Sequence, residues 1–471
     1  MIKAGFYEAD ITPAIGMERP GDYFKVFIKE IREKLKVRAS YITDGKVELA
    51  LVGIDTCAIT GEVSDPVRAE FPGMTVLLSP SHLHSGGPAG RSKLPEYHSE
   101  LVRKLRQEEN IQGNPDYIRH VILQTISAIK MAKLKAEEVE LSFGRGKVEG
   151  VTFNRGFKMK SGHRATHPGK CNPEIVAPFA PIDTEVGAVG FWRKSDGSFL
   201  GCLVNFNCHG TCDTSTGVNS DWPGQMIRTI KAVMGENSGV TYLYGCAGDI
   251  TQVNNLSLSP VETGPNSARQ IGVSVGAEAL KILMKAKKGE IETLKTAAET
   301  IRLQRRKPSQ KTLDEAMRIV QKRERNTTEF RFAKERLILN EIVAHEPEMS
   351  AEIQTIQLGP LVIVTMPGEV FCGVGLAIKA ESKFPFTWVS SMANNSIGYI
   401  PTSDALDPKT GGGYETRLTS GTCAAPDTDK KLIGKSVEMI GKFNPDPVPV
   451  GPQINPVTKI WEYGNNLPEL E

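Results

Sequence analysis

An apolar run that ends in two histidines, V-L-L-S-P-S-H-L-H-S-G-G-P-A-G-R at residues 76–91, constrains this chain more than any other stretch. Its first residues predict a buried strand, which the following Ser-Pro ends because proline cannot donate to the ladder. His82 and His84 are two residues apart, so on an extended segment their side chains point the same way. Neutral imidazole is a common metal ligand and a proton carrier near neutral pH. The stretch therefore predicts a metal or catalytic site, or else two hydrogen-bonded histidines in a turn.

The same pattern recurs where three other apolar strands end, at His209-Gly210, at Gly248-Asp249 and at Gly368-Glu369. In open α/β sheets, binding sites form where strands end. Two histidines from different strands and one carboxylate make a hydrolytic zinc site with an open position for water. Two simpler interpretations remain open. Glu369 could lie in the first turn of a helix, where a carboxylate suits the dipole, and His209 could be a buried, hydrogen-bonded histidine.

The order of the predicted elements is that of an α/β protein. Residues 46–55 and 75–79 predict neighbouring strands, and a helix begins after Asn114, with Pro115 at its first position. Strands and helices continue to follow one another along the chain. The pattern predicts a mixed β-sheet core flanked by helices, with the candidate ligands at strand ends.

Two segments are expected to lie outside that core. Residues 154–185 are rich in glycine, proline and histidine and predict a long loop, which in a compact domain is usually functional or disordered. Residues 310–345 are helical and strongly charged, which predicts a solvated helical pair packed on the surface.

Composition argues against several classes of function. A net charge of +2 favours neither nucleic acid nor an anionic membrane surface as a partner. No stretch approaches the ~18 apolar residues of a membrane span, and the N-terminus lacks the apolar region of a signal peptide. The eight cysteines form no paired zinc signature and suit a reducing compartment. We therefore expect a cytoplasmic protein that acts on a small-molecule substrate. The oligomeric state is not predicted.

Short motifs along the chain resemble, in their order and spacing, those of the neutral (non-lysosomal) ceramidases and their bacterial relatives. They are E-A-D-I-T-P at 8–13, S-H-L-H-S-G-G-P at 81–88, F-N-R-G at 153–156, N-C-H-G-T at 207–211, G-C-A-G-D-I-T at 245–251, M-P-G-E at 366–369, G-Y-I-P-T at 398–402 and G-Y-E-T at 413–416. The resemblance extends from about Ala4 to about Thr422. It implies a metal-dependent catalytic domain over 1–425 and a C-terminal extension over 426–471 that packs on the surface. By the same resemblance, we expect no counterpart of the family's immunoglobulin-like C-terminal domain within these residues.

The resemblance implies one zinc ion per chain. By motif, its ligands would be His82, His209, Glu369 and Tyr399. A tyrosine ligand is unusual, and a bound cation would favour its phenolate.

The resemblance also implies a set of catalytic residues. His84 would stand beside the metal-bound water as a general base or transition-state partner, and Tyr414 would hydrogen-bond the developing oxyanion. Arg155 resembles an arginine that lines the pocket, and Asp249 lies in what resembles the family's G-D-x-S motif. The serine of that motif is Thr251 here, so a role for its hydroxyl does not carry over.

Three functions are compatible with these residues. The first is a zinc-dependent amidohydrolase that cleaves an N-acyl bond, and the second is a hydrolase or lyase acting on a polar, sugar-derived substrate at the same metal site. The third, a non-catalytic binding protein, fits poorly with a complete set of ligands.

We expect a substrate smaller and more polar than long-chain ceramide. Pockets for acyl chains need many large hydrophobic side chains, and aromatic residues make up only 7% of this chain. The 154–185 segment is instead cationic, with Arg155, His163, Arg164, His167 and Lys170.

Overall fold

The computed structural model describes residues 1–259, 262–322, 324–325, 327–459 and 461–471. In chain order its strands are β1 (Lys3–Asp10), β2 (Glu30–Ile31), β3 (Lys36–Thr43), β4 (Glu48–Ile54), β5 (Thr75–Pro80), β6 (Glu137–Lys147), β7 (Phe153–Asn154), β8 (Gly156–Met159), β9 (Arg164–Thr166), β10 (Ile175–Pro178), β11 (Glu185–Arg193), β12 (Phe199–Phe206), β13 (Gly217–Val218), β14 (Gly239–Tyr244), β15 (Ile250–Thr251), β16 (Lys288–Gly289), β17 (Leu294–Gln304), β18 (Glu348–Leu358), β19 (Leu361–Thr365), β20 (Glu369–Val370), β21 (Phe386–Ser390) and β22 (Tyr399–Ile400). The helices are α1 (Gly61–Ala69), α2 (Glu100–Glu109), α3 (Pro115–Leu134), α4 (Asp221–Met234), α5 (Pro265–Lys285), α6 (Gln310–Gln321), α7 (Thr328–His345), α8 (Cys372–Glu381) and α9 (Thr428–Gly441), and a short 3-10 turn covers Tyr414–Thr416.

A large mixed sheet has the strand order β14-β12-β11-β6-β1-β3-β4-β5, with β16 paired to β6. Strands β12 and β14 are parallel, as are β4 and β5. Strand β14 also packs across β3, β4 and β5, so the sheet folds back on itself. The close approach requires glycine at Gly53 in β4, because a Cβ there would lie 2.9 Å from the carbonyl oxygen of Tyr242 in β14.

A second sheet, with the order β17-β18-β19-β21, packs against the first. The apolar cluster between them includes Leu51 and Leu203 from the first sheet and Ile363 and Trp388 from the second. Helices α3 and α5 cover the first sheet, and α8 and α9 cover the second. The predicted α/β class, with a mixed sheet core flanked by helices, is confirmed.

Residues 154–185 do not form the long loop that their composition predicts. Strands β8, β9 and β10 make a small sheet, and β7 pairs with β15. Each of these strands is two to four residues long. Strands this short contain too few residues for an alternation of apolar and polar side chains to identify them in the sequence. The buried side chain of Arg164 fixes this small sheet by an ion pair of 2.8 Å with Glu415.

The charged segment 310–345 forms two helices, as expected, but the expectation of a solvated pair is wrong for α7. Lys334 and Glu335 are only 1% and 2% exposed. Lys334 donates a hydrogen bond to the carbonyl oxygen of Tyr23 at 3.1 Å, and Glu335 accepts one from Asn110 at 2.8 Å. These two charged residues of α7 are therefore buried because distant segments supply partners, and a local pattern does not show those partners.

The C-terminal segment has two different parts. Helix α9 contributes Leu432, Met439 and Ile440 to the apolar cluster beneath β17 and β18. Residues 452–459 and 461–471 are exposed. A boundary near residue 425 therefore stays a prediction, since the helix shares its core with the preceding strands.

Two further features concern the environment of the protein. Among the helices in the described ranges, none combines the length and apolarity needed to cross a membrane. All eight cysteines are free thiols.

Candidate metal centre and active-site cleft

The candidate ligands come from segments that leave the ends of three strands. His82 follows β5, His209 follows β12 and Glu369 follows β19. The backbone amide of His84 donates to the carbonyl oxygen of Gly210 at 3.0 Å, which holds the two histidine segments side by side. Gly210 cannot carry a side chain here, because a Cβ would lie 2.8 Å from the carbonyl oxygen of His82. The glycine beside His209 is thus explained by close packing of two backbones.

Side chains that were not predicted hold the two sheets together near this point. The side-chain oxygen of Asn394 accepts a hydrogen bond from the Leu78 backbone amide at 2.8 Å. The backbone amide of Asn394 donates to the Leu78 carbonyl oxygen at 2.9 Å. The amide of Ser391 donates to the Tyr244 carbonyl at 2.8 Å, and its hydroxyl donates to the Gly368 carbonyl at the same distance. These contacts fix the Glu369 segment relative to β5 and β14.

His82, His209 and Glu369, which we call the ligand triad, converge on one point. Nε2 of His82 lies 3.3 Å from Oε2 of Glu369, and Nε2 of His209 lies 3.5 Å from the same oxygen. The three atoms are within 4.8 Å of one another. The structure therefore brings together three of the four predicted metal ligands.

Hydrogen bonds on the far side of each imidazole fix its orientation. Nδ1 of His82 lies 2.7 Å from the carbonyl oxygen of Cys57, and Nδ1 of His209 lies 2.6 Å from that of Ala247. A carbonyl oxygen can only accept, so both Nδ1 atoms are donors, and in the neutral rings Nε2 carries the lone pair. Metal-binding histidines commonly have this arrangement.

The atoms at the centre of the triad lack partners of their own. Within the described residues, Nε2 of His82, Nε2 of His209 and Oε2 of Glu369 are buried and accept or donate no hydrogen bond of good geometry. Buried polar atoms normally have a partner, and leaving them without one costs free energy. Two imidazole nitrogens and a carboxylate oxygen are the donors that zinc takes in hydrolytic enzymes, so the triad fits that ion.

The electrostatics of the triad favour one bound positive charge. Burial lowers the pKa of His82, but the Glu369 carboxylate outweighs burial and the pKa is raised to about 10. Burial, together with the charge of Arg155, lowers the pKa of His209 to about 4. Burial would raise the pKa of Glu369, yet the two histidines hold it well below its ordinary value. The carboxylate thus stays ionised and attracts a cation, which can be a proton on His82 or a metal ion.

Strand pairing places the backbone of Tyr399 directly beside that of Glu369, a member of the triad. Strands β20 and β22 are parallel, and Glu369 is the partner of Tyr399. The Tyr399 hydroxyl accepts a hydrogen bond from Nη2 of Arg155 at 3.0 Å. Burial and the nearby Glu369 carboxylate raise the pKa of Tyr399 well above its ordinary value, whereas Arg155 opposes them. A cation close to the hydroxyl would act in the same direction as Arg155 and favour the phenolate.

Arg155 belongs to a buried ionic network that sequence reasoning missed. Glu415 accepts hydrogen bonds from Nε of Arg155 at 2.6 Å, Nη1 of Arg164 at 2.8 Å and the Thr166 hydroxyl at 2.6 Å. Arg155 also donates to the carbonyl oxygen of Gly248 at 2.7 Å. The network fixes the arginine behind Tyr399. The one sequence signal for Glu415 is that it is the glutamate of the G-Y-E-T motif at 413–416.

Asp249 is engaged on both oxygens of its carboxylate. It accepts hydrogen bonds from the Cys372 amide at 2.8 Å and from the Asn154 side chain at 2.8 Å. Its backbone carbonyl accepts from the Arg155 amide at 2.9 Å. These contacts join the segments after β7, β14 and β20. The nearby Thr251 hydroxyl is buried and accepts from the Val253 amide at 3.3 Å.

His84 lies next to the triad and is not a member of it. Its ring centre is 5.1 Å from that of His82 and 6.1 Å from that of His209. Its Nε2 is buried and has no hydrogen-bond partner in the described residues. Burial, followed by the charge on His82, lowers the pKa of His84 well below its ordinary value. Both effects favour the neutral ring.

Tyr414 closes the other side of the site. Its hydroxyl lies 3.2 Å from the hydroxyl of Tyr23, and its ring packs edge-on against that of Tyr399. Burial raises the pKa of Tyr414 to about 12, so the phenol keeps its proton and can donate it in a hydrogen bond. Tyr23 was not predicted, because it lies in a loop without a recognisable motif.

A cleft of about 810 Å³ joins these groups to solvent. Its wall includes His82, His84, Glu369, Tyr399 and Tyr414. Five predicted site residues therefore share one cavity.

The cationic 154–185 segment does not supply the charge of this cleft. The side chain of Arg164 is buried against Glu415, and His167 is hydrogen-bonded to Asn255. Lys170 pairs with Glu262 at 2.6 Å. Carboxylates and an amide within the protein thus engage three of these cations, and the interpretation of the segment as a substrate-binding loop stays a prediction.

Neither models of known protein families nor curated protein sequences match this chain. Solved structures do. Neutral ceramidase from Pseudomonas aeruginosa matches with a TM-score of 0.68 at 18% identity, over 98% of this chain and 78% of that chain. A ceramidase complexed with C2 matches with a TM-score of 0.67 at 16% identity, over 96% of this chain and 77% of that chain. The chain thus has a neutral ceramidase-like fold, which confirms the fold implied by the motif resemblance.

Proposed function

We propose that this protein is a zinc-dependent hydrolase that cleaves an N-acyl amide bond or a closely related bond. One observation carries the proposal: two imidazole nitrogens and a carboxylate oxygen, which have no other partner among the described residues, converge at the ends of strands beside a cleft open to solvent. The neutral ceramidase-like fold supports it independently of that geometry. His82, His209 and Glu369 would hold the ion, and Tyr399 would be the fourth ligand.

When bound, zinc would supply Lewis acidity and lower the pKa of water to ~7. Side chains of the protein would accept the proton, stabilise the oxyanion and position the fourth ligand. His84 has a buried, unpartnered Nε2 and would accept the proton of the attacking water. The Tyr414 hydroxyl would donate a hydrogen bond to the oxyanion that develops on the acyl group. Arg155, anchored by Glu415, would keep the Tyr399 hydroxyl in place.

Metal analysis together with an activity screen tests this function. Protein purified without chelators should contain about one zinc ion per chain and hydrolyse at least one member of a panel of N-acyl amides. His82→Ala should lose both properties. The exposed His120 offers a matched control, and His120→Ala should keep both. A His82→Ala protein with unchanged zinc content would contradict the proposal.

The substrate is proposed to be smaller and more polar than long-chain ceramide. Four arginines line part of the cleft, namely Arg91, Arg106, Arg302 and Arg305. Acyl chains would gain little from this part of the wall. Short polar amides should therefore be hydrolysed faster than a long-chain ceramide in detergent micelles. The reverse order would overturn this part of the proposal.

The charged wall also favours a second candidate, a hydrolase or lyase of sugar-derived, acidic substrates at the same metal site. The products would distinguish the two. An amidase releases a carboxylic acid and an amine, whereas a glycan-cleaving enzyme releases a reducing end or an unsaturated sugar. The cytoplasmic location stays a prediction that the free thiols favour, and cell fractionation would test it.

A further inference from the structure

Four arginines that the motifs do not contain converge on the cleft, and we call them the arginine cluster: Arg91, Arg106, Arg302 and Arg305. They come from separate places in the chain. Arg91 follows the glycine-rich loop after His84, Arg106 lies on α2, Arg302 lies on β17 and Arg305 follows that strand. The fold thus assembles these cations around one cavity.

The position of the arginine cluster relative to the triad follows from burial. Arg91 and Arg302 are exposed, and Arg106 and Arg305 are half-buried. His82 is buried in the same cleft. The arginine cluster therefore surrounds the solvent side of the cleft, and the triad lies deeper.

The carboxylates near the arginine cluster are already engaged. Glu346 lies 3.6 Å from Arg305 and accepts a hydrogen bond from the Tyr97 hydroxyl at 2.8 Å. Glu348 accepts one from the Gln304 side chain at 2.5 Å. Within the described part of the chain, no ion pair to Arg91, Arg106 or Arg302 is formed.

Arg106 has a buried donor that is not used. Its Nη1 lies 3.0 Å from Nε2 of His98, but its Nε is buried and has no hydrogen-bond partner among the described residues. Burial lowers the pKa of Arg106, and the like charge of Arg91 adds to this effect, although Glu335 opposes it. Like charges that converge from distant segments cost free energy, and an anion between them would offset that cost.

We propose that the arginine cluster binds an anionic group of the substrate while the scissile bond lies at the triad. The inference rests on the proposed hydrolase function and names its substrate class, an N-acyl compound with a carboxylate, sulfonate or phosphate. Guanidinium groups suit such oxyanions because their N–H donors match two oxygens at once. Carboxylate, sulfonate and phosphate differ in shape and charge, so a substrate series can separate them.

A series built on one short acyl chain tests the inference. N-acylethanolamine is neutral, whereas N-acylglycine, N-acyltaurine and N-acylethanolamine phosphate carry the three anionic groups. We expect at least one anionic member to exceed the neutral one in kcat/KM by about tenfold, and the ratio to fall as salt is added. Arg91→Gln combined with Arg302→Gln should lower that ratio about tenfold, since each exposed ion pair contributes modestly. The exposed Arg119 provides the control, and Arg119→Gln should keep the ratio.

Calorimetric binding of the same compounds separates this inference from the hydrolase function. If nothing is hydrolysed but the anionic members bind more tightly than the neutral one, and the double variant removes that difference, the hydrolase proposal fails and the arginine cluster remains an anion site. A wild-type protein that prefers the neutral compound in both assays would overturn the inference. A ratio that the double variant leaves unchanged would also overturn it.

Discussion

Arg155 and Glu415 form a buried ion pair of 2.6 Å, and the same arginine donates a hydrogen bond to the Tyr399 hydroxyl at 3.0 Å. Glu415 is fully buried and also accepts from Arg164. The Glu415 carboxylate thus pairs with two guanidinium groups. It also anchors Arg155, which orients the candidate metal ligand Tyr399. Glu415 touches none of the reacting groups, so it is a positioning residue.

Glu415→Gln should strongly destabilise the protein. The substitution leaves two buried guanidinium groups without their carboxylate, and breaking such a pair costs about 3–5 kcal/mol. Urea unfolding at pH 7 measures the change in the free energy of unfolding. The exposed Glu381 supplies a matched control, and Glu381→Gln should change stability by less than about 0.5 kcal/mol. Equal stability of the two variants would show that the network does not support the fold.

The same carboxylate should make stability depend on acidity. Burial raises the pKa of Glu415, but Arg155 and Arg164 outweigh burial and lower the pKa from 4.5 to about 2. A group whose pKa is lower in the folded state adds stability above its unfolded pKa, and that stability is lost as the pH falls toward the folded pKa. Its contribution is about 3 kcal/mol.

Comparison of unfolding curves isolates this contribution from other acidic groups. Between pH 5 and pH 2, the free energy of unfolding of the wild-type protein should fall by about 3 kcal/mol more than that of Glu415→Gln. Parallel curves for the two proteins would mean that Glu415 has an ordinary pKa.

His84→Ala should keep the metal and lose turnover. The side chain is not part of the triad, yet it lies in the same cleft with an unpartnered nitrogen. General acid–base groups contribute ~10²–10⁴-fold, so kcat should fall by that factor while zinc content stays unchanged. Full activity would remove His84 from the mechanism, and loss of zinc would make it a ligand.

The triad could be predicted from sequence because each member follows a strand end and has a glycine close by. His82, His209 and Glu369 each satisfy that rule, and they meet although the strands before them belong to two sheets. Glu369 is not in the first turn of a helix, since α8 begins at Cys372.

Other parts of the site depend on tertiary contacts that leave no local pattern. Glu415 matters because β9 delivers Arg164 to it, and β9 has only three residues. The arginines of the arginine cluster come from α2, β17 and two loops. The spacing of residues along the sequence therefore does not predict that they share one cavity. Lys334 resembles a solvated residue by composition and is buried because Tyr23 and Asn110 bind its ammonium group.

X-ray absorption at the zinc edge locates the ion, because two sets of the described residues could hold a metal. One is the triad, and the other is Cys57 with His82 and His84. For an ion at the triad we predict nitrogen and oxygen neighbours at ~2.0–2.2 Å and no sulfur neighbour, with a spectrum unchanged in Cys57→Ser. A zinc–sulfur distance of ~2.3 Å that disappears in Cys57→Ser would contradict this prediction, since the ion would then lie at the thiol instead of the triad.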